Sequence, residues 1–322
     1  MRVFHLLVFL TQLLCAQTKP MKTPAFLKKG DRIAIVAPAG IIKNPTAIYE
    51  AKKKAESWGL QVVIGPHVFE KNNHFSGSDA QRLADFQWAL DSPDIKAIWC
   101  ARGGYGSVRI IDDLNFEAFE KNPKWIVGYS DITVFHNYLQ SENFTSIHGC
   151  MPVNMDFPES GRKQSFESLQ KALFGTLKSY SITGSKYNRE GETTGVLVGG
   201  NLSLLASVSG SKTQVDTTDK IVFIEEIGEY KYHIDRLLRT LKRNGSFEHC
   251  NAVIIGGMSQ LKRNNPSFGQ EIEAIILEAI GAHTYPVLFD FPAGHDHLNK
   301  ALYFGKKTRL VVTKESAQIH FE

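Results

Sequence analysis

The sequence predicts a protein of the α/β class, and three observations carry that prediction. Short runs rich in β-branched residues alternate along the chain with longer segments of helical periodicity. The composition is that of a globular protein, with 43% hydrophobic and 22% charged residues. The length of 322 residues is about that of two domains. Alternating strands and helices of this kind favour a parallel sheet covered by helices on both faces.

The first residues of the chain indicate export. An apolar run over 6–14 follows a basic n-region and leads to the small residue Ala16. This arrangement is typical of a secretory signal peptide, here residues 1–16, cleaved after Ala16. Cys15 leaves a lipoprotein signal as the alternative, although the preceding Leu14 is larger than such signals favour. The run is too short to span a bilayer, so we expect an exported, periplasmic protein without stable membrane insertion.

The charges and cysteines exclude several other classes of protein. The net charge of +4 comes from 37 Lys and Arg against 33 Asp and Glu, and the two signs are interspersed. A nucleic-acid partner would need a denser basic stripe, so none is expected. The sequence contains no zinc-ligand spacing and no P-loop. Cys100, Cys150 and Cys250 are odd in number and far apart, which predicts buried free thiols rather than a disulfide framework.

The first domain is expected over residues 22–150. Its predicted strands cover 32–38, 60–65, 95–101 and 125–129. Its predicted helices cover 45–58, 79–90 and 131–139, with Ser78 as the N-cap of the second.

The second domain is expected over residues 193–322, after an inter-domain connection over 151–192. That connection is rich in Pro and Gly and contains one helical pattern near 165–173. The predicted strands that follow cover 196–198, 221–224, 252–255 and 287–291, and the tail over 301–312 has the pattern of closing β structure. The predicted helices follow Asn201 and cover 232–242 and 270–280.

The sharpest local motif is the tetrapeptide Gly-Tyr-Ser-Asp over 128–131. It lies where an apolar strand turns directly into a helix, which is the context of a nucleophile elbow that exposes the Ser130 hydroxyl. The backbone N–H of Asp131, in the first helical turn, would then face a developing oxyanion. Ile132 stands where the G-x-S-x-G form of the motif has its second glycine. The alternative is that Ser130 only caps the helix.

A glycine-rich turn, Arg-Gly-Gly-Tyr-Gly over 102–106, follows another predicted strand. Its glycines free the backbone to approach a ligand and to turn N–H groups inward. The turn lacks the spacing of a dinucleotide-binding fingerprint, but it suits a second oxyanion donor beside Ser130, because both loops end strands of one parallel sheet. A tight turn without further function is the alternative.

A nucleophilic serine needs a base and an orienting carboxylate. His295 lies in a Gly-flanked loop after a strand, from which it can reach into a cleft; the competing histidines are His148, His283 and His297. Glu225 and Glu226 end a buried strand and point to opposite faces of it, so only one of the two can reach the histidine. Glu225 continues the face of Phe223, and Glu226 that of Ile224.

Taken together, these segments resemble the LD-carboxypeptidase family of serine peptidases, which also contains microcin-immunity hydrolases. The matching stretches run in order through most of the chain: GDRIAIVAPAG, DIKAIWCARGGYGS, WIVGYSDITVFHNYL, SIHG, GVLVGGNLSLL, IVFIEEIGEYKYHIDRLL and FPAGH. The resemblance implies a Rossmann-like, glutamine-amidotransferase-like N-terminal domain beside a C-terminal swivelling α/β domain. It also implies a homodimer, a site between the domains, and neither metal nor organic cofactor.

The resemblance assigns roles to individual residues. Ser130 matches the family's nucleophile, Glu225 the glutamate that orients the base, and His295 the base itself. The oxyanion hole is expected from the backbone of Asp131 and of the glycine turn, with Gly104 favoured and Gly103 as the alternative.

The function that follows is hydrolysis of murein tetrapeptides at the bond between the L-centre of the diamino acid and the terminal D-Ala. Arg102 is a candidate partner for the substrate's terminal carboxylate, although a structural role for it is left open. Two other hypotheses remain: a microcin-immunity-type hydrolase of peptide–nucleotide amides, and an exported protein that binds murein peptides without cleaving them.

Overall fold

A computed structural model describes residues 20–322, which form two β-sheets with surrounding helices. This two-sheet α/β architecture is the fold class that the sequence predicts. The expected signal peptide at 1–16 lies outside the described residues. Within residues 20–322, no helix combines the length and the apolar composition that crossing a membrane requires.

Six strands form the first sheet: β1 (Arg32–Val36), β2 (Gln61–Ile64), β3 (Ile95–Cys100), β4 (Trp125–Gly128), β5 (Ser146–His148) and β11 (Leu302–Phe304). Their order across the sheet is β11-β5-β4-β3-β1-β2. The first five strands of the chain are parallel, and only β11 is antiparallel to its neighbour. The carboxyl ends of β3 and β4 therefore meet at one edge of the sheet.

Five helices accompany this sheet: α1 (Pro45–Ser57), α2 (Asp79–Asp91), α3 (Glu117–Lys121), α4 (Thr133–Ser141) and α5 (Glu159–Leu173). The buried side chains of α1 and α5 pack on one face, and those of α2, α3 and α4 pack on the other. Ser78 is the N-cap of α2 and forms a capping box with Gln81, as its position predicts.

Seven strands form the second sheet: β6 (Ser179–Thr183), β7 (Gly191–Asn201), β8 (Lys220–Ile227), β9 (Ala252–Ser259), β10 (Val287–Leu288), β12 (Lys307–Val312) and β13 (Ser316–Phe321). Their order is β10-β9-β8-β7-β12-β13-β6, with the first four parallel and the rest antiparallel. Three helices pack on one face: α6 (Leu202–Ser207), α7 (Lys231–Arg243) and α8 (Ile272–Ile280). Side chains on the opposite face join the core that contains α1 and α5.

The chain returns to the first sheet near its end. Residues 302–304, which the sequence assigns only to closing β structure, form β11 and pair with β5. The Tyr303 hydroxyl donates a hydrogen bond of 2.7 Å to the carbonyl of Ala172 in α5. The segment between β10 and β11 therefore runs from the second sheet to the first.

Several predicted elements have different bounds in the structure, for example the helix that follows Ser130 and the strand before Asn201. The helix expected over 131–139 begins as a 3₁₀ turn at Ser130–Ile132, and α4 starts only at Thr133. The strand expected over 196–198 is the eleven-residue β7. Its first half has the sequence GETTG, which carries no apolar run, but it pairs with β12 along its whole length.

We predict that Tyr303→Phe lowers the free energy of unfolding by about 0.5–1.5 kcal/mol, because the Ala172 carbonyl loses the tyrosine donor and keeps the Gly175 N–H. Denaturant unfolding measures the change. Tyr49→Phe is the control, since Tyr49 is exposed and should show no difference. An unchanged stability of Tyr303→Phe would contradict the docking of β11 against α5.

Candidate active site

Ser130 stands at the carboxyl end of β4 in a strained backbone conformation. Its φ of +64° lies in the left-handed region, which is uncommon for a residue other than glycine. The strand before it is fully buried, and the 3₁₀ turn begins at Ser130 itself. No side chain caps the N-terminus of α4, and the Ser130 hydroxyl contacts a histidine instead of the helix. This is the geometry of a nucleophile elbow rather than of a helix cap.

The structure brings Ser130, His295 and Glu225 together from separate parts of the chain. The Nε2 atom of His295 lies 2.9 Å from the Ser130 Oγ, and its Nδ1 atom lies 2.6 Å from the Glu225 Oε2. The Glu225 side chain is fully buried and that of His295 is 13% exposed. Because the carboxylate accepts the Nδ1 proton, the Nε2 lone pair is free to accept the serine proton.

The two adjacent glutamates serve different sides of β8. Glu225 lies on the same strand face as Phe223, two residues earlier, and this face points to the core shared with the first sheet. Glu226 lies on the face of Ile224, which points to α6 and α7. Glu226 accepts hydrogen bonds from four donors: the Asn201 amide, the Ser203 backbone and hydroxyl, and the Ile227 backbone. Alternation along the strand thus sends one carboxylate to the imidazole and the other to the start of α6.

The surroundings of His295 favour its protonated form. Burial disfavours the charge, but the attraction and hydrogen bond of Glu225 outweigh it, with smaller contributions from Glu226 and Asp296. The pKa of His295 is therefore above the usual value of 6.5. The Tyr129 ring packs beside the imidazole, with the ring centres 4.9 Å apart. An imidazole held in this way becomes a stable imidazolium when it takes a proton.

The glycine turn approaches the serine closely at Gly103. A β-carbon built there would lie 2.9 Å from the Ser130 β-carbon and 3.2 Å from the Asp131 amide nitrogen. Gly104 instead borders Gly40, whose amide donates a 2.9 Å hydrogen bond to the Gly103 carbonyl. Any side chain at Gly103 would push against the hydroxyl, so a glycine is required at this contact.

Two buried charged side chains brace this turn, and the sequence analysis did not assign either of them this task. The Asp131 carboxylate accepts the Ser107 amide at 2.8 Å, and burial raises the pKa of Asp131. The fully buried Arg82 of α2 donates to the carbonyls of Gly106 and Pro38. Arg82 lies on the apolar face of α2. A charged residue at such a position indicates that it is paired with polar groups in the core, and this sequence signal could have identified it.

Other candidate residues lie at different places. Arg102 is half-buried next to Gly103, and one of its guanidinium nitrogens donates a 2.7 Å hydrogen bond to the Ile41 carbonyl. Of the competing histidines, His297 packs on Phe157 and His283 stacks on Tyr285, so neither pairs with Ser130. His148, in β5, is fully buried and packs against the Phe223 ring, with the ring centres 5.0 Å apart.

The three described cysteines are free and buried, as the sequence predicts. Burial raises the pKa of both Cys100 and Cys150, which disfavours the nucleophilic thiolate. Among residues 20–322, no three His, Cys, Asp or Glu side chains are grouped in a way that would hold a metal ion.

Comparison with protein families gives two matches, one in each half of the chain. Residues 33–149 match the model of the LD-carboxypeptidase N-terminal domain, and residues 194–310 match that of the LD-carboxypeptidase C-terminal domain.

Relatives of known name match over most of their length. The chain is 31% identical to the "probable murein peptide carboxypeptidase" of Bacillus subtilis, over 92% of this chain and 93% of that protein. It is 29% identical to the murein tetrapeptide carboxypeptidase of Pseudomonas aeruginosa, over 85% and 91%.

Solved structures share the fold. The muramoyltetrapeptide carboxypeptidase of Oxalobacter formigenes superimposes with a TM-score of 0.80 at 27% identity, covering 90% of this chain and 98% of that one. The microcin C7 self-immunity protein MccF reaches a TM-score of 0.82 at 21% identity, over 93% and 98%, which shows a common fold alone.

We predict that NMR titration of the His295 imidazole gives a pKa above 6.5, and that Glu225→Gln lowers it because the ion pair is lost. A group whose pKa is raised by folding stabilises the fold most below its unfolded pKa, and this contribution disappears as the pH rises through the folded pKa. The signal is assigned by its absence from His295→Gln. A pKa of His295 that is the same in both proteins would contradict the ion pair.

Proposed function

The chain belongs to the LD-carboxypeptidase family of serine-type carboxypeptidases, and from that premise we propose that it is an exported enzyme that removes the terminal D-Ala from murein tetrapeptides. The observation that carries the proposal is the continuous hydrogen-bonded chain from Ser130 through His295 to Glu225. The names of the relatives support murein peptides as the substrate class. Export is proposed because the N-terminal residues have the pattern of a signal peptide, and a homodimer because the family resemblance implies one.

The proposed reaction begins with attack by the Ser130 oxygen on the carbonyl carbon between the L-centre of the diamino acid and D-Ala. His295 takes the serine proton at Nε2 and then donates it to the amine of the leaving D-Ala as the C–N bond breaks. Water, activated by the same imidazole, hydrolyses the acyl-enzyme and restores the serine. Glu225 keeps the imidazole oriented and stabilises its charged form throughout.

The negative charge on the tetrahedral intermediate needs donors that are already in place. We assign this task to the backbone N–H of Asp131 and to an N–H of the glycine turn, at Gly104 or Gly103. A donor of this kind typically contributes about 3–4 kcal/mol to transition-state stabilisation. The hydrogen bonds of Asp131 to Ser107 and of Gly40 to Gly103 hold both loops before substrate arrives.

A carboxypeptidase also has to recognise a free carboxylate at the end of its substrate. Arg102 is our candidate, because it adjoins Gly103 and uses one guanidinium nitrogen on the Ile41 carbonyl, which leaves further N–H groups for a carboxylate.

The proposal is tested by incubating the purified protein with a murein tetrapeptide and measuring free D-Ala. We expect release by the wild type and none above background by Ser130→Ala. Peptide binding without D-Ala release would instead show a binding protein. Turnover confined to a peptide–nucleotide amide would show an immunity-type hydrolase.

We predict that Glu225→Gln and Glu226→Gln differ in kind. Glu225→Gln should reduce kcat by about 10⁴-fold if the glutamate acts as the orienting carboxylate of a Ser-His-Asp triad does. Glu226→Gln should retain most turnover per folded molecule but lower the melting temperature, because an amide cannot accept from all four donors. Equal losses of turnover in the two variants would contradict the assignment of the two strand faces.

A further inference from the structure

The imidazole of His295 stands on a loop that has no regular secondary structure of its own. The loop runs from the end of β10 in the second sheet to β11 in the first sheet. A base on a loop is productive only if the loop is fixed to within a fraction of an ångström, because an error of about 1 Å in placement can cost about 100-fold in rate. The contacts that fix this loop therefore determine where the imidazole lies.

A buried asparagine holds the backbone directly before His295. The Oδ1 atom of Asn299 accepts the backbone N–H of Gly294, directly before His295, at 3.1 Å. Gly294 has a φ of +121°, and a β-carbon there would lie 2.9 Å from the Glu225 Oε2. The Gly294 backbone therefore packs directly against the Glu225 side chain, next to the imidazole.

Asn299 is itself anchored to α5. Its own N–H donates to the Ser165 hydroxyl of α5 at 2.9 Å, and the N–H of Ala301 donates to the Ser168 hydroxyl at 3.0 Å. The α5 helix packs in the core of the first sheet, where Phe166 meets Trp99. Asn299 thus links the histidine loop to the body of the protein that carries the serine.

The other end of the peptide that precedes the histidine is held as well, because the Ala293 carbonyl accepts the N–H of Gly257 in β9 at 2.9 Å. Two further contacts of the loop act farther from the base. The Lys300 amide donates to the Pro292 carbonyl, and the Asp296 carboxylate accepts the Ser259 hydroxyl at 2.7 Å. Both close the loop, but neither contacts the peptide that precedes the histidine.

We propose that Asn299 is a positioning residue that, through the Gly294 amide, holds the His295 imidazole at hydrogen-bond distance from both of its partners. The inference rests on the proposed function, since it assigns a reason for the placement of the proposed base. It identifies Asn299, together with its α5 anchor, as the element that keeps the base aligned.

The titration of His295 reports on this alignment, because its raised pKa depends mainly on the close glutamate. The titratable groups that face it are Glu225 and Glu226 from β8, Asp296 from its own loop, His148 from β5 and Tyr129 from the end of β4. His148 is fully buried, and burial together with His136 and His295 holds its pKa well below 6.5. It therefore stays neutral over the range in which His295 titrates.

The test replaces Asn299 by leucine, which has the same number and branching of side-chain heavy atoms but no acceptor. We expect the pKa of His295, followed by NMR, to fall towards 6.5 as its contact with the glutamate loosens. In a D-Ala release assay, kcat should fall by about tenfold to 100-fold with little change in KM, and the acid limb of the pH profile should move to lower pH.

Two further variants keep the test decisive. Ser165→Ala removes the anchor on α5 with little risk to folding, and it should shift the pKa of His295 in the same direction by a smaller amount. Asn251→Leu is the matched control. The Asn251 side chain also forms hydrogen bonds with backbone groups, but it lies just before the amino end of β9, at the edge of the second sheet opposite to Glu225. It should lower stability and leave the pKa of His295 unchanged.

An unchanged pKa of His295 in both Asn299→Leu and Ser165→Ala would overturn the proposal. The same shift in Asn251→Leu would also overturn it, because general loosening would then explain the effect. The NMR titration needs no substrate, so a protein that releases no D-Ala would refute the proposed function while the positioning role is still measured.

Discussion

One chain of hydrogen bonds, from carboxylate to imidazole to hydroxyl, joins the two sheets of this protein. Glu225 lies near the carboxyl end of β8 in the second sheet, Ser130 follows β4 of the first, and His295 lies on the segment that connects the two sheets. These bonds lie in a largely buried place, where a satisfied polar network is strong and a broken one is costly. The relative placement of the sheets is therefore constrained at the same point where the proposed chemistry takes place.

Two sets of contacts support this series of hydrogen bonds, one on each side of it. On the serine side, Asp131 and Arg82 hold the glycine turn against the nucleophile elbow. On the histidine side, Asn299 and α5 hold the loop that carries His295. In each set, buried polar side chains form hydrogen bonds with backbone groups of a loop. These bonds fix loops that have no regular backbone hydrogen bonds of their own. The strained backbone conformation of Ser130 persists because contacts with the glycine turn and with His295 both hold the residue in place.

Much of this arrangement could be predicted from local patterns. The apolar runs that became β1, β3, β4 and β8 are strong signals, since strands buried on both faces leave little else to fill them. Ser78 is recognisable as a cap from its own sequence neighbourhood, and the separation of Glu225 from Glu226 follows from the two-residue period of a strand. The long first half of β7 and the short β11 could not be predicted, because pairing with distant strands, and not an apolar run, makes them strands.

The sequence by itself determined the types of most elements, the α/β class and the residues with reactive side chains, because propensity, capping and periodicity act within a few neighbouring positions. Only the tertiary structure decided which histidine faces the serine and that Gly103 approaches it. It also decided that Arg82, Ser165 and Asn299 hold the loops in place. Those facts depend on contacts between residues far apart in the chain, such as Ser165 and Asn299, which are 134 positions apart. Apart from the charge of Arg82 on an apolar helix face, such contacts leave no local pattern in the sequence.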